Sequence, residues 1–387
     1  MSFSLQTAVV GTGFIGPVHV EALRRAGVHV RGIVGSSEEK SKQAADSLGL
    51  EHGYASLEAM LADDQVDVVH LTTPNRLHFE QAKAALQAGK HVLCEKPLAM
   101  NTRQTAELVR LAQSSGRAAG VAYNIRYYPL CHHAAAEIAD ASWGDTLHVT
   151  GSYVQDWLLY DTDFNWRVLA DEGGELRAVA DIGTHWLDLV QFLSGQPVVA
   201  VCADLQRVYD RRKRPVGGSE TFTGSAAAER SSQEVEVTTE DAGCILLRFA
   251  NGARGSLHVS QMTAGRKNCL RWEIAGTQTA MAWNSEQPNI LWKGQRGSPN
   301  QQLIRDPAAM AASASEISQY PAGHNEGFPD TFKQLFRTFY AYIAAGDFNA
   351  KPSFPTFADG HHEVALCEAI LDSHRKQGWV TVGETPA

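Results

Sequence analysis

Residues 11–16 read Gly11-Thr12-Gly13-Phe14-Ile15-Gly16, and this stretch decides the fold of the first third of the chain. It directly follows an apolar run at residues 5–10 and opens a helical stretch that continues to residue 26. In such a strand–turn–helix the first glycine makes the tight turn, the second lets the backbone approach a pyrophosphate, and the third allows close helix–strand packing. The helix N-terminus adds free N–H groups and partial positive charge. The stretch therefore predicts a dinucleotide site formed by the three glycines with Phe14 and Ile15.

The pattern of the following hundred residues extends this unit into a parallel sheet. Apolar, strand-like runs occur at residues 28–34, 66–71, 90–94 and 118–122. Helical stretches lie between them at residues 38–48, 77–88 and 102–115. Strands that alternate with helices are typical of βαβ units and a parallel sheet. We therefore predict an α/β Rossmann domain for residues 1–124, followed by a second domain at 125–387 whose C-terminal helix packs back on the body.

The end of the second predicted strand bears on the choice of cofactor. NAD sites usually carry an acidic residue there that binds the ribose 2′-hydroxyl. This chain has Gly35-Ser36-Ser37, followed by Lys40 and Lys42. Hydroxyl groups and nearby cations could hold a 2′-phosphate, so Ser36 and Ser37 favour NADP slightly, with NAD still open. Alternatively, the two lysines only line the exposed face of a helix.

A second loop, Thr73-Pro74-Asn75, follows the third predicted strand, and His78 comes shortly after it. In open parallel sheets, ligands bind outside the carboxyl ends of the strands. These four residues are therefore expected to border the cofactor. His78 could instead be a loop histidine whose ring is satisfied by its neighbours.

A third loop, Glu95-Lys96-Pro97, ends the apolar run at residues 91–94. Lysine is rarely buried unless it is paired, and here it lies between an acid and a ring-locked residue at the predicted ligand edge. One interpretation is a strand cap with a surface ion pair. A catalytic Lys96 with Glu95 beside the cofactor is the other, and it is favoured by a pattern further along the chain.

That pattern is Asp181-Ile182-Gly183-Thr184-His185, in a predicted helix at residues 176–193. Residues four apart project from the same face of a helix, so Asp181 and His185 should lie together. Their neighbours are apolar, so a buried, satisfied pair is an alternative. Together with Lys96, however, the pair favours catalysis.

Further candidate substrate residues lie elsewhere in the chain. Asn124 and Arg126 leave the last Rossmann strand at its carboxyl end, where a structural role is equally compatible. The stretch 155–167 mixes acids with aromatic side chains, among them Asp156 and Trp157, a combination that suits a carbohydrate. The alternative is a long loop that its aromatic side chains hold in place. His324 lies in a glycine-flanked turn and could reach a ligand.

The remainder of the chain indicates a different kind of sheet. Strand-like runs occur at residues 147–154, 198–208, 242–249, 253–261, 270–275, 279–283 and 290–293. Successive strands joined by short turns such as Asn251-Gly252 are typical of hairpins and an antiparallel sheet. The second domain is therefore predicted to be α+β.

Composition narrows the class of protein. The 387 residues are 44% hydrophobic and 20% charged, with a net charge of −9, which is ordinary for a globular chain and argues against general nucleic-acid binding. The basic run Arg211–Arg214 is interpreted as a solvated loop. The six cysteines form no Cys-x-x-Cys pair, so no metal site is expected. No secretory signal or membrane-spanning run is evident, and a cytoplasmic location with no membrane partner is expected.

The glycine pattern, Thr73-Pro74-Asn75, Glu95-Lys96-Pro97 and the motif from Asp181 to His185 together resemble the glucose–fructose oxidoreductase / inositol 2-dehydrogenase family. The resemblance implies a Rossmann domain, a second domain with an open, mainly antiparallel sheet, and a homodimer or homotetramer formed through that sheet. The Lys-Pro peptide bond is often cis in that family, so the resemblance implies a cis bond between Lys96 and Pro97. It also places Trp166 and Arg167 near the cofactor.

The function implied is NAD(P)-dependent hydride transfer to or from a hydroxyl carbon of a sugar, glycoside, anhydrosugar or inositol. Catalysis is expected from Lys96, Asp181 and His185, which would also contact substrate. A dehydrogenase or reductase of a non-sugar alcohol or ketone, of dihydrodiol or tetrapyrrole type, is one alternative. A non-catalytic NAD(P) sensor is another.

Overall fold

The computed structural model describes residues 3–216 and 231–383, which divide into two compact units. The first unit takes its described residues from Met1–Asn124 and Pro329–Val364. The second consists of Ile125–Phe328 and Ala365–Gly383. The segment 329–364, which falls inside the predicted second domain, thus packs with the first unit.

The first unit is built on a six-stranded sheet in which every strand pairing is parallel. Its strands are β1 Gln6–Val10, β2 His29–Val34, β3 His52–Tyr54, β4 Val68–Leu71, β5 His91–Cys94 and β6 Ala119–Val121. The helices between them are α1 Ile15–Ala26, α2 Glu38–Leu48, α3 Leu57–Leu61, α4 Asn75–Gln87 and α5 Thr102–Ser115. The strand order β3-β2-β1-β4-β5-β6 is that of a dinucleotide-binding sheet, which confirms the predicted Rossmann fold.

The late segment joins this unit because its apolar residues complete the unit's core. Helix α10, Phe328–Ala345, repeats buried residues at helical spacing, among them Phe336, Phe339 and Tyr340. Phe357, the first residue of helix α11, Phe357–Lys376, belongs to the same core as the parallel strands. Sequence order alone could not reveal this return of the chain.

The second unit contains a nine-stranded, mainly antiparallel sheet of order β16-β15-β14-β13-β7-β12-β11-β8-β17, and so confirms the predicted sheet type. Its strands are β7 Thr146–Val154, β8 Val198–Gln206, β11 Ala242–Phe249, β12 Arg254–Ser260, β13 Cys269–Gly276, β14 Ala280–Asn284, β15 Ile290–Gly294, β16 Gln301–Ile304 and β17 Val380–Thr381. The unit's remaining helices are α6 Pro129–Ile138, α7 Ala170–Gly173, α8 Thr184–Ser194 and α9 Ala312–Ile317. The Trp186 indole on α8 donates to the Arg271 carbonyl of β13, 2.8 Å away, so α8 lies against this sheet.

The run Arg211–Arg214 is a strand and not the predicted loop, although Arg211, Lys213 and Arg214 are exposed to solvent as expected. Strands β9, Arg211–Pro215, and β10, Ser232–Glu236, pair antiparallel as a separate ribbon. Alternation along β9 turns Arg212 inward, where its guanidinium contacts the Asp241 carboxylate at 2.7 Å. Arg212 is therefore buried because it pairs with the buried Asp241 of another segment.

Within the described ranges, none of the helices combines the length and the apolar character needed to cross a bilayer. The same residues include no cluster of three or more His, Cys, Asp or Glu side chains arranged to hold a metal ion.

Candidate active site

The glycine loop is shaped by close backbone approach at its two ends. Gly11 has φ +120°, and a Cβ there would lie 2.5–2.8 Å from atoms of Thr72. A Cβ on Gly16 would lie 2.2 Å from the Gly11 carbonyl oxygen. Only glycine is compatible with either position. A larger residue at 11 would collide with the loop after β4, and one at 16 would push the start of α1 away from the end of β1.

The middle glycine is open, and this is the feature that fits a pyrophosphate. No atom lies within 4 Å of an ideal Cβ on Gly13. The first turn of α1 carries no acidic residue, so this turn adds no negative charge that would oppose an anion at the helix N-terminus. Phe14 beside it is 54% exposed, and Ile15 is partly buried. The loop therefore suits the pyrophosphate group of a dinucleotide, as its sequence predicts.

The loop after β2 is exposed at Ser36 and Ser37. The Ser37 hydroxyl accepts the Lys40 backbone N–H at 3.3 Å, so Ser37 is the N-cap of α2. Lys42 contacts the Glu38 carboxylate at 2.6 Å. The charge of Lys42 is thus partly balanced within its own helix, which weakens the case for this lysine as a phosphate ligand.

His78 connects two of the predicted ligand loops. Its ring Nδ1 lies 2.8 Å from the Pro97 carbonyl, and its Nε2 lies 2.8 Å from the Thr73 carbonyl. Burial lowers the pKa of His78, so the ring is neutral and donates to one carbonyl at a time. Thr73 in turn donates from its hydroxyl to Gln81 at 2.6 Å, and Asn75 begins α4 after Pro74.

The Glu95-Lys96-Pro97 loop leaves β5 with its geometry set by backbone and side-chain contacts. The Glu95 N–H donates to the Leu71 carbonyl at 2.8 Å, which continues the β4–β5 pairing. The Glu95 carboxylate is buried, with Oε1 3.1 Å from His19 Nε2 and Oε2 3.2 Å from the Lys96 backbone nitrogen. The Lys96–Pro97 bond is cis, as the resemblance implied, and the Lys96 residue is half-buried.

Asn124 and Arg126 are both held firmly by residues of their own units. Asn124 is buried and donates from Nδ2 to the Thr331 hydroxyl at 2.7 Å. Arg126 donates from Nε to the Asp188 carboxylate at 2.7 Å, and its guanidinium lies 5.3 Å from the Phe192 ring centroid. These contacts give each side chain a structural role, in addition to the binding role that the sequence predicts.

In the second unit, Asp181 lies in a π-helical turn, Val179–Gly183, that leads directly into α8. Such turns are frequent at functional sites. The Asp181 carboxylate is held at both oxygens, by Arg167 Nε at 3.3 Å and by Gln261 Nε2 at 2.8 Å. The predicted continuous helix is therefore interrupted at the residue that the motif singles out.

His185 is the second residue of α8 and is 8% exposed. The Tyr153 ring of β7 lies beside it, with 6.4 Å between ring centroids. Tyr153 donates to the Asn268 side-chain oxygen at 2.7 Å, and Gln155 donates to the same oxygen at 2.8 Å. Trp157 donates to Gln155 at 2.9 Å, so a continuous polar chain runs along this end of β7.

The turn that carries Asp181 is supported from behind by an ionic cluster, which we call the Asp241 cluster: Arg177, Arg212, Glu240 and Asp241. Glu240 accepts the backbone N–H groups of Arg177 and Val179 at 2.9 and 2.8 Å, and so caps the start of the turn. Arg177 and Arg212 both contact one Asp241 oxygen. Burial raises the pKa of Glu240 to about 6.

The other predicted residues lie in three further places. Trp166 and Arg167 form a 3₁₀ turn with the guanidinium 4.4 Å from the indole centroid, and Arg167 links this pair to Asp181. Asp156 accepts from Lys267 at 2.7 Å. His324 is exposed on a loop whose carbonyl groups are bound by the buried Arg305.

Sequence reasoning did not single out His19, Gln261 or the Asp241 cluster. Gln261 ends a predicted strand, and only that position could have drawn attention to it. His19 lies three residues after the glycine pattern, on a helix face that reads as ordinary core.

Comparison with known proteins finds a matching family model for each of the two parts of the chain. Residues 5–123 match the model of an oxidoreductase family with an NAD-binding Rossmann fold. Residues 132–282 match the GFO/IDH/MocA C-terminal domain.

Individual relatives extend the likeness over the whole chain. Levoglucosan dehydrogenase of Pseudarthrobacter phenanthrenivorans is 28% identical over 396 residues, which span 99% of this chain and all of that enzyme. The structure of levoglucosan dehydrogenase with NADH and levoglucosan has a TM-score of 0.86 at 28% identity, covering 98% and 99% of the two chains. An NADP-dependent D-xylose 1-dehydrogenase of Haloferax volcanii is 32% identical over 190 residues, which span 49% of this chain and 57% of that enzyme.

Proposed function

Since the chain belongs to the GFO/IDH/MocA oxidoreductase family, we propose that it is an NAD(P)-dependent sugar dehydrogenase. Its substrate would be a sugar, glycoside, anhydrosugar or inositol, oxidised at a hydroxyl carbon. The observation that carries the proposal is the fixed Asp181 carboxylate, held at both oxygens one helical turn before His185. A full-length levoglucosan dehydrogenase relative supports the substrate class.

The catalytic roles follow from what alcohol oxidation requires. A base must take the hydroxyl proton, and histidine has an ordinary pKa of about 6.5, close to neutral pH. We assign His185 as that base and Asp181 as the group that orients its ring or binds substrate. Lys96 supplies a positive charge that stabilises the developing alkoxide.

NAD(P) would accept the hydride from the alcohol carbon. The residues that would hold it are Gly11, Gly13, Phe14, Ile15, Gly16, Ser36, Ser37, Thr73, Pro74, Asn75, His78, Glu95, Lys96, Trp166 and Arg167. We propose NADP as the preferred form, because residues 35–37 carry no acid and Lys40 follows on an exposed helix. Affinities for NAD and NADP, measured by quenching or calorimetry, test this preference directly.

Substrate contacts are proposed for Lys96, Asn124, Arg126, Asp156, Trp157, Asp181, His185 and His324. The polar chain from Trp157 through Gln155 to Asn268 supports the part of this set that lies on β7, since it fixes flat rings beside hydrogen-bonding groups. Sugars are commonly bound by such mixed surfaces. His324 is the member with the least support, because its described contacts stay within its own loop region.

We further propose a cytoplasmic homodimer or homotetramer assembled through the exposed face of the nine-stranded sheet. On β11 the exposed residues alternate with buried ones, and Leu246 is 52% exposed there. Light scattering on a Leu246→Glu variant tests this assembly: a mass unchanged from wild type would argue against the face.

The decisive experiment is absorbance at 340 nm with NAD and NADP in parallel. The panel would contain levoglucosan, glucose, glucosides, inositols, xylose and gluconate. We expect turnover with at least one polyol, lost in Lys96→Ala and retained in Lys83→Ala, a surface lysine paired with Glu107. Tight nucleotide binding without turnover would favour a sensor, and activity confined to non-sugar alcohols would favour the other reductase class.

A further inference from the structure

Next to Glu95, three buried side chains form a continuous hydrogen-bonded row. His19 Nε2 lies 3.1 Å from Glu95 Oε1, and His19 Nδ1 lies 3.0 Å from His70 Nδ1. His70 Nε2 lies 3.1 Å from the Tyr340 hydroxyl. His19, His70 and Tyr340 are each fully buried, and all belong to the first unit.

With both rings in the neutral form, each carries a single N–H, so the contacts constrain one another. An ionised Glu95 can only accept, and therefore His19 donates from Nε2. Its Nδ1 is then an acceptor, and His70 must donate from its own Nδ1. His70 Nε2 is left as an acceptor, and the Tyr340 hydroxyl donates to it.

The surroundings favour this arrangement over its reverse. The second Glu95 oxygen also receives an N–H, from the Lys96 backbone at 3.2 Å, and two N–H donors stabilise the charged carboxylate. Burial, together with His19, holds the pKa of His70 well below its usual range, so that ring stays neutral. Burial also raises the pKa of Tyr340, so its hydroxyl, which also contacts Thr7, keeps a proton that it can donate to His70.

We infer that His19, His70 and Tyr340 are positioning residues that fix the orientation and ionised state of Glu95, and with it the backbone of the adjacent Lys96. This inference rests on the proposed function for its kinetic consequence, since Lys96 is the catalytic lysine of that proposal. None of the three side chains is placed against substrate or cofactor; each acts through Glu95.

Because the hydrogen bonds depend on one another, a change at Tyr340 should affect Glu95, which it does not contact directly. Without the Tyr340 hydroxyl, His70 is free to carry its proton on Nε2. His19 must then carry its own proton on Nδ1 to avoid two acceptors facing each other, and the donor to Glu95 is lost. Removing one oxygen three contacts away should thus disturb the Glu95 loop.

The first measurement is the tautomer of each ring, from nitrogen NMR of protein labelled at histidine. Signals are assigned by their disappearance in His19→Gln and His70→Asn. We expect His19 to be protonated on Nε2 alone and His70 on Nδ1 alone, with both patterns changed in Tyr340→Phe. Protonation of His70 on Nε2 in the wild type would overturn the inference.

The second measurement is kinetic, on the best substrate of the panel. Tyr340→Phe and His19→Leu should lower kcat about tenfold. The KM for nucleotide should change less than kcat, because Glu95 is one of many proposed nucleotide contacts and the glycine loop is untouched. His19→Gln, whose amide N–H can replace Nε2–H, should recover most of the loss. Tyr342→Phe is the matched control on the same helix, since its hydroxyl donates to the Ala350 carbonyl at 3.1 Å and takes no part in the row.

The outcomes separate the two proposals. Equal kcat in Tyr340→Phe and Tyr342→Phe, or an equal loss in His19→Gln and His19→Leu, would contradict the positioning role. A wild-type chain that is silent on the whole panel would contradict the proposed function, whereas the tautomers would still decide whether the row orders Glu95.

Discussion

Two predicted site residues, Glu95 in the first unit and Asp181 in the second, are supported by buried polar groups of opposite character. Next to Glu95 stand two imidazole rings and a phenol, joined in a row by single hydrogen bonds. Behind the turn of Asp181 stands the Asp241 cluster, in which two guanidinium groups share one carboxylate. The difference teaches that a site carboxylate can be supported in two ways. Neutral hydrogen bonds can fix which atoms carry protons, or buried ion pairs can hold the backbone turn that carries the carboxylate.

The two solutions should fail differently. A neutral hydrogen bond contributes about 1 kcal/mol, and its loss changes proton placement more than stability. A buried ion pair that loses one partner leaves an uncompensated charge, at a cost of about 3–5 kcal/mol. Tryptophan fluorescence can follow the second unit alone, since all eight tryptophans lie between positions 143 and 379 outside the segment 329–364.

The largest expected effect is that of Asp241→Ala. It leaves Arg177 and Arg212 buried without their shared carboxylate, and we expect the free energy of unfolding to fall by about 3–5 kcal/mol. Urea unfolding followed by tryptophan fluorescence measures it. Asp210→Ala removes a surface partner of Arg207 and should change stability by less than about 1 kcal/mol. Similar midpoints for the two variants would show that the ionic cluster does not support the turn.

In the first unit, the glycine loop gives the next largest effect. Gly11→Ala introduces a Cβ within 2.8 Å of Thr72 at φ +120°, so we expect a loss of about 2–3 kcal/mol, seen by far-ultraviolet circular dichroism. Gly13→Ala meets no atom within 4 Å and should keep the wild-type melting temperature. Its nucleotide affinity should nevertheless fall at least tenfold, because the added methyl fills the space in front of the helix. Unchanged affinity in Gly13→Ala would argue against this loop as the pyrophosphate site.

Two buried titrating groups, one in each unit, should give pH dependences of opposite sign. Desolvation, with Arg117 nearby, lowers the pKa of His91 to about 4, and its neutral Nδ1 accepts the Ala118 N–H at 2.9 Å. Its stabilising contribution is full above pH 6.5 and is lost as pH falls toward 4. We expect at most about 3 kcal/mol over this range. His91→Asn keeps an acceptor without a titration, and urea unfolding of the first unit should then depend less on pH; an unaltered slope would contradict the assignment.

Glu240 should behave in the reverse direction and with the smallest magnitude. Its folded pKa of about 6 lies above the ordinary value of 4.5, so its contribution is full below pH 4.5 and is lost as pH rises through 6. We expect about 1–2 kcal/mol between these values. Glu240→Gln removes the titration and should flatten the fluorescence-detected profile of the second unit. A profile as steep as that of the wild type would assign the dependence to another group.

The elements nearest the motifs followed from sequence patterns with little error. Strand-then-glycine at residues 5–16 and the charged pair after residue 94 both depend on local geometry, which periodicity and turn chemistry describe well. The helix around Asp181 was expected, but its π-helical turn was not, because that turn depends on Glu240, some 60 residues later. The strand at Arg211–Pro215 was missed because charged residues have low strand propensity and only pairing with β10 compensates.

By itself, the sequence determined the class of each unit, the glycine loop and the identity of the candidate residues, since these depend on neighbours a few positions apart. Tertiary structure alone decided what holds those residues: His19 meets His70 from 51 positions away, His70 meets Tyr340 from 270, and Gln261 reaches Asp181 from 80. Such contacts carry no periodic signal. Burial makes each polar group require a partner, and only the folded chain selects which distant residue supplies it.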